Sequence, residues 1–170
     1  MKRQLNKIFF LFFLLSTTVA KAQYSFSGTT TVTATVGTVI SLSVTSNSAY
    51  SFNFNSITAV NSGITLSNVN SFSIKTNVNW QLAVSTTTAF FSGTGTWAST
   101  NMPASILQVW GTNANNKKIL STTAQTFQTG NRGNTSTSGN TFSMSMSANP
   151  GYDYGPGSYT ITVMYTLSSQ

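Results

Sequence analysis

The chain has 170 residues, no His and no Cys, and a single acidic side chain, Asp153, against eight Lys and Arg. Ser, Thr and Asn together supply 72 of the positions. This excludes a His–carboxylate pair, a Cys nucleophile, a carboxylate dyad, a zinc centre and a disulfide framework, so no catalytic, cofactor or metal residues are expected.

Lys2, Arg3 and Lys7 precede an apolar run, Ile8 to Leu15, that is too short to span a bilayer. Ala20-Lys21-Ala22 then offers small residues in the pattern that signal peptidase accepts. Residues 1–22 therefore read as a secretory signal, cleaved before Gln23. The expected location is periplasmic, cell-surface or extracellular, with no stable membrane insertion after cleavage. Lys2, Arg3, Lys7 and Lys21 leave with the signal. Lys75, Lys117, Lys118, Arg132 and Asp153 stay, a balance of +3 without a basic cluster, so no nucleic-acid partner is expected. Residues 23–170 are long enough for one core without staples.

Residues 23–36 form an alternating segment. Tyr24, Phe26, Gly28, Thr30, Val32, Ala34 and Val36 share even parity, so one face of an N-terminal strand carries them. Such a strand either completes its own sheet or enters a neighbour's groove. Thr29, Thr31, Thr33 and Thr35 lie on the opposite face. They could order water on a flat ice-binding surface, but one such ladder reads more simply as β-propensity on a wet face.

Period two continues through 37–170. Ile40, Leu42 and Val44 alternate with serines, and Tyr50, Phe52 and Phe54 do the same with polar residues. Phe72, Ile74, Thr76, Val78, Trp80, Leu82 and Val84 keep one parity, as one bent strand or as two joined near Asn77. Further strands are predicted at 88–91, 104–111 and 117–121. Gly130 to Asn140 reads as a polar, mobile loop containing Arg132. Phe142, Met144, Met146 and Ala148 mark another strand, and Tyr159, Ile161, Val163, Tyr165 and Leu167 mark the last. Asn61-Ser62-Gly63, Gly93-Thr94-Gly95, Asn149-Pro150-Gly151 and Tyr152 to Gly157 supply turns. The fold predicted is all-β: an antiparallel β-sandwich, immunoglobulin-like or pilin-like, forming a single domain after the signal.

Few side chains invite chemistry. Asp153 alone would hold Ca²⁺ weakly and reads as a turn residue. Lys75 is the one candidate base for a Ser or Thr nucleophile, but it alternates outward beside Ile74, where water solvates it. The chain is therefore expected not to be an enzyme. Trp80 is in phase with the core residues around it. Trp97, Trp110, Tyr152 and Tyr154 are candidates for an aromatic platform that stacks on sugars, against the simpler reading of rings packed under loops.

The stretch Gly157-Ser158-Tyr159-Thr160-Ile161-Thr162-Val163-Met164-Tyr165 resembles the closing strand of bacterial fimbrial (pilin-like) subunits and related secreted β-sandwich modules. Gly157 is the fourteenth residue from the end, where chaperone–usher pilins carry a Gly before an alternating strand. The 24–36 segment is similar to their donor strand, with Gly28 in phase. Trp80-Gln81-Leu82 more weakly resembles the Trp-x-Leu motif of WxL-type surface domains, and Tyr165-Thr166-Leu167 stands where their terminal motif would be, with Tyr in place of Trp. The WxL resemblance implies attachment to a cell wall. The leading expectation is a secreted, non-enzymatic surface subunit of fimbrial type that assembles by β-strand complementation, with itself or with another surface subunit. The alternative is an extracellular polysaccharide- or cell-wall-binding module that uses exposed aromatics.

Overall fold

The computed structural model describes residues 31–46, 49–111 and 116–170. Residues 1–22, read above as a signal, and Tyr24, Phe26, Gly28 and Thr30 lie outside them. The chain divides into two units, Met1–Val36 and Gly37–Gln170. In the first, residues 31–36 have no regular secondary structure, and Val32, Ala34 and Val36 are exposed.

The second unit is an antiparallel, all-β body with two sheets facing each other. β1 (Ile40–Ser46), β2 (Ile64–Thr76), β5 (Leu107–Trp110), β6 (Lys118–Ile119) and β8 (Thr141–Ala148) form a five-stranded sheet in the order β1-β2-β8-β5-β6. β3 (Trp80–Thr86), β7 (Gln125–Gly130) and β10 (Val163–Ser169) form the second, in the order β10-β3-β7. A two-stranded ribbon joins β4 (Ser92–Thr94) to β9 (Ser158–Thr160).

Alternation explains which faces meet. Phe72 and Ile74 of β2 and Phe142, Met144 and Met146 of β8 point inward from the larger sheet. Trp80, Leu82 and Val84 of β3 and Phe127 of β7 point inward from the smaller. The rings interlock across the gap. Trp80 stacks on Phe142 at 6.1 Å between centroids, and Tyr165 meets Phe72 edge-on at 5.0 Å. The long one-parity run is thus two strands. The chain leaves the larger sheet after Thr76 and enters the smaller at Trp80 without changing which parity is buried.

Two irregularities aim core residues. Between Leu66 and Asn70 β2 carries two residues more than β8, with Asn68 at φ 52°, a conformation Asn tolerates better than most side chains. An insertion of two leaves Leu66 and Asn70 on the same face. On β7, Thr126 and Gln128 pair with Ala83 and Leu82, so Phe127 is the extra residue of a bulge, and its ring enters the core.

Several predicted elements come out differently. Tyr159 to Leu167 is two strands, β9 and β10, with Ile161 and Thr162 outside both. Tyr50, Phe52 and Phe54 face inward by turns but belong to no strand, because residues 49–55 make no ladder. A six-residue helix, α1 (Ile57–Ser62), follows; the Ser56 hydroxyl caps its start and Gly63, at φ 73°, its end. Residues 88–91 hold only a bridge from Phe90 to Pro103, and the strand falls at 92–94. Residues 104–106 form a 3₁₀ turn ahead of β5, and 117–121 shrinks to β6.

The segment 130–140 is built into the body, contrary to expectation. Thr76 and Gly133 exchange backbone hydrogen bonds at 3.0 and 2.8 Å, Asn79 Oδ1 accepts the Arg132 N–H, and Asn140 is fully buried. Backbone bonds to Thr76 and side-chain bonds through Asn79 and Asn140, invisible in a run of Ser, Thr, Asn and Gly, hold this loop.

Candidate functional site

Two regions of the second unit present themselves for binding: the open rims of the sheets and the end of the β4–β9 ribbon.

β10 pairs with β3 on one side only, and β1 pairs only with β2. Neither strand contains Lys, Arg, Asp, Glu or Pro, the residues that usually blunt a rim. Val163, Tyr165 and Leu167 pack partly against the core, while Met164 is 48% exposed. Behind this rim a polar relay crosses the sandwich. Tyr50 Oη donates toward Val69 O and Asn70 Oδ1, Asn70 Nδ2 donates to Tyr165 Oη at 2.7 Å, and Tyr165 Oη donates to Met144 Sδ at 3.7 Å. Burial pushes the Tyr165 phenol up to about 12; the hydrogen bond from Asn70 opposes this and neighbouring Tyr50 adds to it.

The ribbon continues the β3–β10 pair beyond its end. Val163 pairs with Thr86, the Thr87 N–H donates to Thr162 O, and Thr160 then pairs with Ser92. At the opposite end of β3, where the chain enters this unit, Asn77 holds Val39 through its backbone and side chain and donates to Gly37 O. The aromatic end and the point of chain entry therefore lie at opposite ends of the β3–β10 pair.

Loops 95–99 and 151–157 close the ribbon and fit tightly. A Cβ on Gly155 would lie 2.0 Å from Trp97 O, and one on Gly157 would lie 2.6 Å from Ala98 Cβ. Tyr159 Oη accepts the Ser99 N–H at 2.8 Å and donates to Gly155 O at 2.5 Å; Ser99 Oγ accepts the Gly155 N–H at 3.0 Å. On this frame Trp97 is 73% exposed and Tyr152 69% exposed, with Tyr154 half-buried. Asp153 is exposed in the turn, and no hydrogen bond reaches its carboxylate among the described residues.

Trp110 does not join them. It is 8% exposed on β5, paired with Ser145, and Lys117 Nζ lies 4.6 Å over its ring. A buried ring capped by an ammonium has no face to offer a sugar. Trp80 is fully buried. Lys75 is exposed opposite Ser41, in water rather than in the dry pocket that an activating lysine needs. Among the described residues no group of His, Cys, Asp or Glu could hold a metal ion, and no helix is long and apolar enough to cross a membrane.

Sequence alone did not single out Asn70 or Asn140. Both are ordinary members of an Asn-rich chain, and burial alone distinguishes them. Ser99 was equally hidden; its role depends on Tyr159, 60 residues away. Comparison of the chain with protein-family models and with curated proteins gives no match to either.

Proposed function

We propose that this is a secreted, non-enzymatic surface subunit of fimbrial type that assembles by β-strand addition. Residues 24–36 are the donated strand, and the acceptor is a second copy or another surface subunit. The observation that carries the reading is the β10 rim: seven residues, Val163–Ser169, paired on one side only and without a charge or proline. An added strand would satisfy the open N–H and C=O groups of such a rim, and its alternate side chains would cover Val163, Tyr165 and Leu167. Val32, Ala34 and Val36 add support. They are apolar or small, share one parity, and are exposed outside any ladder, with Val32 at 84% and Val36 at 80%.

Deletion of residues 24–36 from the exported protein tests the reading. The wild type should elute as a ladder of oligomers that resists mild denaturant, and the deletion should elute as a monomer with an unchanged β-sheet spectrum. A wild type that is only ever monomeric, or a deletion that assembles as before, ends the proposal.

A further inference from the structure

The β4–β9 ribbon ends in two large exposed rings on a frame tighter than a solvent-facing loop requires. Burying a ring of this size in the core removes far more apolar area from water than leaving it out, so Trp97, at 73% exposed, gains little from folding. Yet its backbone is clamped by Gly155, and the loop that carries Tyr152 is tied through Ser99 and Tyr159. Tyr152 is three residues from Gly155, so at up to about 3.5 Å per residue its backbone lies within roughly 11 Å of that clamp.

The surroundings narrow the ligand. Residues 92–101 and 150–160 contain no Lys or Arg, so neither segment brings a cation to a phosphate, a nucleic acid or an anionic lipid headgroup. Asp153, the chain's single acid, stands between Tyr152 and Tyr154 and opposes insertion into a lipid interface. Carboxylate oxygens accept hydrogen bonds, and these accept none from the described residues. Exposed rings on two adjoining loops, one of them followed in the chain by an unengaged acceptor, match a ligand that has apolar C–H faces, many O–H donors and no charge.

We propose that this end of the ribbon binds an uncharged polysaccharide. Trp97 and Tyr152 stack on sugar faces, and Asp153 accepts hydrogen bonds from ring hydroxyls. The site is independent of strand addition, so a chain lacking 24–36 keeps it.

The test uses the full exported chain against insoluble cellulose, chitin and β-1,3-glucan particles, with vesicles of anionic phospholipid as a separate arm. Among the described residues Trp97 is the exposed tryptophan, since Trp80 and Trp110 are buried, so a blue shift in emission on binding reports its ring directly. The wild type should be retained by at least one of the three polysaccharides, insensitively to salt. Trp97→Ala and Tyr152→Ala should each weaken retention by at least about tenfold with an unchanged melting temperature. Asp153→Asn should weaken it by a smaller factor, about threefold, because an amide still offers one acceptor oxygen. Failure of the wild type to bind any of the three overturns the proposal. So does retention of Trp97→Ala at the wild-type level, or binding confined to the vesicles.

Discussion

Trp80 Nε1–H donates to Asn140 Oδ1 at 3.0 Å, and neither residue has exposed surface. The bond joins the start of β3 to the segment that leads into β8, so one polar contact links the two sheets inside an aromatic core. Asn140 Nδ2 continues the chain to Asn134 O, and Asn140 O accepts the Ile74 N–H. Every polar group of this side chain is therefore engaged without water.

Asn140→Leu leaves the indole N–H and Asn134 O without their partner in a dry site. The expected loss is about 2–6 kcal/mol in urea unfolding, since each of the two stranded groups costs about 1–3 kcal/mol. A loss below half a kcal/mol would show that water or a shifted loop replaces the amide.

Gly130 lies opposite Trp80 in the β3–β7 ladder, and a Cβ there would meet the indole Cζ2 at 2.4 Å. The ring is held against Phe142 and cannot swing aside. Gly130→Ala should cost about 2–3 kcal/mol as an overpacked core does, read as a lowered melting temperature.

Tyr165 carries a pH signature. Its phenol is raised from 10.0 to about 12 in the folded chain, so between those values the native state binds more protons than the unfolded one. This contribution is intact below pH 10 and is lost as pH rises through 12. Stability should fall over that window by an amount on the order of 2 kcal/mol beyond what Tyr165→Phe shows. Unfolding curves for the two proteins at pH 9, 10, 11 and 12 make the comparison, and parallel curves would contradict it.

Met164 is on the outer face of β10 and is half exposed. Met164→Lys puts a charge on the open rim, where a docking strand would have to desolvate or avoid it. Stability should stay within about 0.5 kcal/mol of wild type, while oligomer formation should fall sharply in size-exclusion profiles.

The rims and rings were readable in the sequence to different degrees. Which side chains of β10 point outward follows from alternation alone, as do the buried faces of β2, β3 and β8; that its rim is unpaired follows from the strand order. Trp97 and Tyr152 could be named as candidates because glycines surround them, but Trp110 looked equivalent until its burial on β5 was known. β7 was missed because its one apolar side chain, Phe127, sits in a bulge, and a single Phe makes no pattern. α1 was missed because Ile57, Thr58 and Val60 favour strands; only the caps at Ser56 and Gly63 signal a helix there.

Sequence by itself determined the class of architecture and the side of each strong strand that is buried, because a period of two is a property of the local backbone and survives any arrangement of strands. Tertiary structure decided where the ladder breaks. Phe72 and Trp80 share a parity yet face each other from opposite sheets, and Tyr159 and Tyr165 share one yet serve a ribbon and a core. Those outcomes depend on which strand lies alongside, a contact between residues far apart in the chain that no local pattern encodes.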